Sequence, residues 1–376
     1  MGTSLYRGLT VGVLAVTLLG TSAVKAAPPG PPAAVTALLS MATDGTPGNA
    51  DSLYPSLSAD GSTVAFESFA ANLVSGDTNG ASDIFVRDRA SGRTSRVSVD
   101  SDGAEGNEGS SSPSISADGR FVAFASDATA LAPGDRNRAG DVFVHDAKTG
   151  KTTRMSVASD GKPGNGDSFS PSISADGRFV AFVSEATNLV RGDTNGAADV
   201  FVHDRETDRT SRVSVASDGA QAAGDAFSPS ISGDGRYVAF ATDAGNVVPG
   251  DDNRASDVFV HDNQTGRTVL VSAAGGHPSD RGSSAPSLSA DGRVVAFVTD
   301  GPLVADDTNN TEDVYVADLA TGALRRVSLA SDGTEGNRPS LGPSISADAT
   351  VVAFESLATN LVVADSNAAE DVFWRR

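Results

Sequence analysis

One sequence unit occurs six times along the chain, and this repetition constrains the fold more than any other feature. The tripeptide Val-Ala-Phe recurs every 57 or 58 residues, with its phenylalanine at Phe66, Phe124, Phe182, Phe240, Phe297 and Phe354. The aspartate of a Ser-x-Asp turn keeps the same spacing, at Asp60, Asp118, Asp176, Asp234, Asp291 and Asp348. Such regularity predicts that each unit packs mainly against its neighbours.

Each unit contains four short strand signals. In the second copy they are Ser112–Ser116, Arg120–Ser126, Asp141–Asp146 and Thr152–Val157, separated by Asp-Gly and Thr-Gly turn signals. The second and third are apolar at consecutive positions, which indicates that both faces of the sheet are buried. A four-stranded antiparallel sheet covered on both faces by copies of itself is a blade of a β-propeller.

The two ends of the repeat region complement each other. The sixth copy stops after its third strand signal, at 371–374, and the missing fourth strand matches Thr36–Met41. A straight solenoid is the alternative, but it would need capping units, and the sequence contains none. We therefore predict an all-β, six-bladed β-propeller over residues 35–376, with a ring closed by the N-terminal strand that completes the last blade.

The first residues have the pattern of an export signal. Arg7 precedes an apolar stretch, Leu9–Leu19, and Val24-Lys25-Ala26 supplies small residues at a cleavage site. We predict a signal peptide at residues 1–26 and a Pro/Ala linker at 27–34; an uncleaved membrane anchor is the alternative. The mature chain is then secreted or extracytoplasmic, without a transmembrane span.

Charge and cysteine content exclude several classes of function. The chain has 48 acidic and 28 basic side chains, a net charge of −20 and no cysteine. The absence of cysteine excludes a disulfide framework, a thiolate metal site and a cysteine nucleophile. The negative charge argues against nucleic acid as a partner. We expect a monomer.

The repeated core resembles a known family. It reads Ser-x-Asp-Gly-Arg-Phe-Val-Ala-Phe, followed by Asp-Val-Phe-Val-x-Asp and a Thr-Gly turn, and it is similar to the WD-like repeats of TolB-type propellers over residues 36–376. Those repeats commonly have tryptophan before the Ser-Pro-Asp-Gly turn, whereas this chain has Leu57, Ile115 and Ile173. The resemblance implies a binding or scaffolding platform. Related propellers also cover prolyl-oligopeptidase-like enzymes, but the chain has no Gly-x-Ser-x-Gly motif.

A second motif, Asp-x-Asn-x-x-x-Asp, precedes the third strand of every unit. Its oxygen side chains are candidate ligands for Ca²⁺, which takes about 6–8 oxygen atoms. The alternative is that they bond to nearby backbone N–H groups in Asx-turns. No cofactor is required, and Ca²⁺ is possible. The motif residues are Asp77, Asn79, Asp83, Asp135, Asn137, Asp141, Asp193, Asn195, Asp199, Asp251, Asn253, Asp257, Asp307, Asn309, Asp313, Asp365, Asn367 and Asp371.

One connection departs from the repeat. Between the fourth and fifth units, residues 273–281 replace the Asp-Gly-x-x-Gly-Asn loop and contain His277, Asp280 and Arg281, which are the candidate binding residues. His277 with Asp280 could form an acid–base pair, although a lone loop histidine is commonly just solvated. The other histidines, at 145, 203 and 261, occupy equivalent third-strand positions in separate units.

Three functional hypotheses remain. The first is an exported, non-enzymatic propeller that binds a protein, peptide or glycan through an acidic face, which is built from the loops between second and third strands and from the blade connections. We call this the long-loop face. The second is a secreted lyase or Ca²⁺-dependent hydrolase on the same scaffold, and the third is a purely structural surface protein. Catalytic residues are not predicted.

Overall fold

Tight turns divide each sequence unit into short antiparallel strands. The computed structural model describes residues 37–363, 365 and 369–376, and all its regular elements are β-strands. Leu38–Arg376 forms one compact unit. The predicted signal peptide and linker, residues 1–34, lie outside the described part of the chain. No helix within the described residues is long and apolar enough to cross a membrane.

Six sheets follow one another along the chain, and we call them blades 1 to 6. Blade 1 contains β1 (Ser52–Leu57), β2 (Thr63–Ser68), β3 (Asp83–Asp88) and β4 (Arg93–Arg96). Blade 2 contains β5 (Ser110–Ile115), β6 (Phe121–Ser126), β7 (Asp141–Asp146) and β8 (Lys151–Arg154). Blade 3 contains β9 (Ser168–Ile173), β10 (Phe179–Ser184), β11 (Asp199–Asp204) and β12 (Arg209–Arg212).

The second half of the chain repeats this arrangement. Blade 4 contains β13 (Ala226–Ile231), β14 (Tyr237–Thr242), β15 (Asp257–Asp262) and β16 (Arg267–Leu270), and it is followed by a hairpin of β17 (Ala273–Ala274) and β18 (His277–Pro278). Blade 5 contains β19 (Ser283–Leu288), β20 (Val294–Thr299), β21 (Asp313–Asp318) and β22 (Leu324–Arg326). Blade 6 contains β23 (Ser340–Ile345), β24 (Val352–Ser356) and β25 (Asp371–Arg375). Neighbouring strands in each blade pair antiparallel, in chain order. The predicted all-β, six-bladed propeller is confirmed.

The fourth strand of blade 6 is the one predicted strand that the described residues do not contain. Residues 37–41 form no strand, and Met41 makes only an isolated bridge to Pro47. Arg87 of blade 1 donates hydrogen bonds to the carbonyls of Met41 and Ala42, both at 3.0 Å. The N-terminal segment is therefore tied to blade 1, and its pairing with β25 stays a prediction.

The core lies between the blades, as the consecutive apolar positions of the second and third strands predict. Ala65 and Ile84 of blade 1 pack with Val122 and Phe124 of blade 2, and all four are fully buried. Within blade 2, the rings of Phe124 and Phe143 stack with their centroids 5.9 Å apart. Equivalent ring pairs occur in all six blades. Burial on both faces of each sheet thus explains the repeated aromatic residues.

The first strands of neighbouring blades are joined by a repeated hydrogen bond. The Ile173 N–H of blade 3 donates to the Ser114 hydroxyl of blade 2 at 3.1 Å, and five such bonds join blades 1 through 6. Within the residues described, no bond of this set joins Leu57 of blade 1 to Ser344 of blade 6. The first-strand serines therefore use their hydroxyl groups to connect blades.

Candidate functional site

The Asp-x-Asn-x-x-x-Asp loop of blade 1 surrounds an arginine. The Oδ1 or Oδ2 atoms of Asp77 and Asp83 and a carboxylate oxygen of Glu105 lie within 4.8 Å of one another, an arrangement that could hold a metal ion. However, the Arg96 guanidinium lies 3.8 Å from Asp77 and 3.1 Å from Asp83, and it also pairs with Glu105. Arg96 therefore already supplies positive charge to this buried acidic cluster.

Three further blades have the same arginine at the end of the fourth strand. Arg154 lies 3.3 Å from both Asp135 and Asp141. Arg212 lies 3.5 Å from Asp193 and 3.1 Å from Asp199. Arg326 lies 3.0 Å from Asp307, 3.3 Å from Asp313 and 2.9 Å from Glu335. In these blades the repeated aspartates serve as partners of an internal cation.

The asparagine of the motif builds the loop, as the Asx-turn alternative predicts. In blade 1, the Asn79 amide oxygen accepts a hydrogen bond from the Ala81 N–H at 2.9 Å, and the amide nitrogen donates to Asp83 and to the Gly106 carbonyl. Asn137, Asn195, Asn253 and Asn309 make the same three kinds of bond. Asn367 lies outside the described residues. The asparagine thus joins the loop to the connection that leads into the next blade.

In blades 1 to 5, the last aspartate of the motif is buried at the start of the third strand. Burial raises the pKa of Asp83, Asp141, Asp199 and Asp313, while a serine hydroxyl and the arginine oppose this rise. In blade 1, the Ser98 hydroxyl donates to Asp83 Oδ1 at 2.5 Å. These contacts explain how a fully buried carboxylate is tolerated.

Blade 4 departs from this pattern because Leu270 occupies the position of the arginine. Asp257 is fully buried, and its pKa rises to about 6, chiefly because of burial. Asp251 is only 8% exposed, and burial together with the charge of Asp252 raises its pKa. Within the described part of the chain, the Asp251 side chain has no hydrogen bond or ion pair. Aligning the fourth strands would have revealed this difference, which the sequence analysis missed.

The connection between blades 4 and 5, residues 273–281, contacts the loop of blade 4 that contains Asp251 and Asp257. The Asn253 amide donates to the Ser279 carbonyl at 2.7 Å, where the other loops contact the glycine or alanine of their connection. His277, Asp280 and Arg281 are all exposed, and among the residues described no hydrogen bond or ion pair joins His277 to Asp280. The Arg281 guanidinium donates to the Asp300 carbonyl at 3.3 Å. The structure therefore presents these three side chains to solvent from the departing hairpin, by which we mean β17 and β18 with residues 279–281 that follow them.

The third-strand histidines are structural. Nδ1 of His145 lies 2.9 Å from the Thr152 hydroxyl, and His203 and His261 have the equivalent threonine contact. Burial lowers the pKa of all three. Each histidine is thus held within its own blade, as their separation in sequence predicts.

The arginines that follow three of the Asp-Gly turns are paired with aspartates. Arg178 donates two hydrogen bonds to Asp204, both at 2.8 Å. Arg120 and Arg236 pair in the same way with Asp146 and Asp262. These charge pairs neutralise part of the positive charge at the tight turns.

Comparisons with known proteins agree with the propeller fold. No protein-family model and no curated protein matches the chain. TolB from Acinetobacter baumannii is similar over 73% of this chain, at 17% identity and a TM-score of 0.43, and the chain covers 53% of that protein, about half its length. A putative TolB from Agrobacterium tumefaciens is similar over 87% of this chain, at 16% identity and a TM-score of 0.46, with 90% of that protein covered.

A third structure gives a higher similarity score. It is the β-propeller domain of the Trilobed protease from Pyrococcus furiosus, which has an open velcro topology. The identity is 12% and the TM-score 0.53, with 88% of this chain and 82% of that chain covered. At such identities the comparison establishes the fold and not the function. The chain is thus a six-bladed β-propeller, and the resemblance to TolB-type propellers is confirmed for the fold.

Proposed function

We propose that this chain is an exported, non-enzymatic propeller that binds a protein, peptide or glycan through its acidic long-loop face. The observation that carries the proposal is the break in the repeat at blade 4. There the hairpin that exposes His277, Asp280 and Arg281 coincides with the replacement of the internal arginine by Leu270. A site for one ligand on a repeated scaffold requires such a local difference, because identical blades would offer identical sites.

The charge of the long-loop face supports a partner with positive groups. Asp127, Glu185 and Asp243 begin the long loops of three consecutive blades and are exposed. Asp252 and Asp280 add exposed carboxylates beside the departing hairpin. Carboxylates of one sign gathered on one face attract oppositely charged ligands and speed their association. A basic peptide segment is therefore the partner chemistry that this surface favours.

Export is part of the same proposal. It rests on the signal-peptide pattern of residues 1–26. The test is mass spectrometry of the chain recovered outside the cytoplasm. A mature N-terminus at Ala27 is expected, whereas a retained segment 1–26 would favour the membrane-anchor alternative.

The second candidate is a hydrolase or lyase. It is favoured by the similarity to the propeller domain of a protease and by the spacing of His277 and Asp280. In that case the hairpin would supply an acid–base pair, and His277→Ala would abolish turnover while substrate binding remained. The binding proposal instead expects no turnover in the unmodified chain.

The experiment measures binding of immobilised full chain to arrays of synthetic basic peptides and glycans. Replacing His277, Asp280 and Arg281 together by alanine should weaken binding at least tenfold, because the three side chains form the exposed hairpin surface. The control variant replaces Asp160 and Lys162 by alanine, which lie exposed in the regular connection after blade 2. Equal binding by both variants would place the ligand elsewhere and overturn the proposal.

A further inference from the structure

We propose that blade 4 is a calcium site, with Asp251 and Asp257 as its carboxylate ligands. The other described loops of this kind hold an arginine between the two aspartates in blades 1, 2, 3 and 5. Leu270 takes that position in blade 4 and supplies no charge. The scaffold is thus built to hold a cation at this point, and blade 4 has no internal one.

The Asp251 side chain is the second observation that points to a ligand. It is 8% exposed, and in the described part of the chain no hydrogen bond or ion pair reaches it. The equivalent aspartates of blades 1, 2, 3 and 5 all contact a guanidinium group. Burying an unpaired carboxylate costs free energy, so a bound cation would offset a cost that the other blades avoid through arginine.

The surrounding oxygen atoms suit a hard divalent ion. Asp257 Oδ1 accepts the Ser272 hydroxyl at 2.5 Å, and Oδ2 accepts the Asn253 amide at 2.6 Å. The same amide reaches the Ser279 carbonyl at 2.7 Å. Two carboxylates and the Ser279 carbonyl are oxygen donors of the kind that Ca²⁺ takes, with water completing a shell of about 6–8 oxygens. The Asn253 amide oxygen is not among them, because it accepts the Ala255 N–H at 3.0 Å.

The enclosure favours a small ion over a side chain from a partner. Asp257 is fully buried and Asp251 nearly so, which leaves narrow access from solvent. In the other blades the arginine enters from the fourth strand of its own blade and not from outside. The Ser279 carbonyl also belongs to the hairpin of His277, so a bound ion would fix this hairpin. The inference does not depend on the proposed partner, because calcium is tested on the chain alone.

Isothermal titration of the full chain with CaCl2, after EDTA treatment, tests the proposal. We expect one ion per chain and a melting temperature that rises with calcium concentration. Asp251→Asn should weaken binding at least tenfold. Leu270→Arg should abolish it, because it restores the guanidinium found in the other blades, and it should raise the melting temperature in EDTA. Asp135→Asn, at the matching position of blade 2, should leave the single site intact.

Three results would overturn the proposal. The first is the absence of heat and of a melting-temperature shift at millimolar CaCl2. The second is binding of several ions that persists unchanged in Leu270→Arg, which would assign calcium to the exposed acidic surface. The third is binding of methylguanidinium but not of Ca²⁺ to the unmodified chain, which would assign the site to an arginine of a partner. Circular dichroism of each variant shows that the blades remain folded.

Discussion

Gly177 shows how a single turn residue holds two blades together. Its φ is +73°, and a Cβ atom built there would lie 2.2 Å from Cδ2 of Phe121 in the preceding blade. The guanidinium groups of Arg120 and Arg205 also contact the Phe121 ring, each 4.4 Å from its centroid. The ring therefore has little room to move away from an added methyl group.

Gly177→Ala should destabilise the chain by about 2–5 kcal/mol, the sum of left-handed strain and overpacking. Gly161→Ala is the matched control, because Gly161 has a φ of +80° but no atom within 4 Å of the added Cβ. The control should lose only about 1–2 kcal/mol from backbone strain. Urea unfolding of both variants measures the difference. Equal losses would show that the contact with Phe121 carries no cost.

At the scale of the strand, a charge pair joins the turn before β10 to the end of β11. Hydrogen bonds from Arg178 hold the pKa of Asp204 well below its usual range, and Asp146 and Asp262 are lowered in the same way by Arg120 and Arg236. A lowered folded pKa contributes stability that is present above the unfolded pKa, about 4, and is lost as the pH falls below it. These charge pairs should therefore keep their contribution to the free energy of unfolding until the pH falls below about 4.

Arg178→Gln should lower the free energy of unfolding at pH 6 and make its decline between pH 4 and pH 2 shallower, since Asp204 then titrates closer to its unfolded value. Urea unfolding at pH 6, 4 and 3 measures this change. Arg191→Gln, at an exposed position of a long loop, should leave the profile unchanged. An unaltered slope in Arg178→Gln would mean that the pair does not link folding to pH.

At the scale of the whole molecule, the contact between the first and last blades differs from the other five. Trp374 lies in β25, on the last blade, and is 69% exposed, whereas the equivalent Val144 and Val202 in blades 2 and 3 are buried. Trp374 is the only tryptophan of the chain. Its fluorescence therefore reports directly on this junction.

The emission of Trp374 should resemble that of an indole in water and should be quenched readily by acrylamide, because most of the side chain is exposed. The same measurement in urea gives the reference for full exposure. A blue-shifted, protected emission from the folded chain would instead show that blade 1 or an N-terminal strand covers β25, as the sequence predicts for a closed ring.

The sequence determined the six units, their strands and their turns, because turn glycines and apolar runs act through local contacts. In blade 2, the predicted strands lie within three residues of those observed at each end. It also singled out His277 and the Asp-x-Asn-x-x-x-Asp loops. Only the tertiary structure decided what those loops contain, since Arg96 reaches Asp83 across a strand pair from 13 residues away. Likewise, Ser114 meets Ile173 only when two blades pack. Such contacts depend on how distant segments of the chain meet. For this reason, only the folded blade shows that Leu270 replaces an arginine that pairs with the buried aspartates.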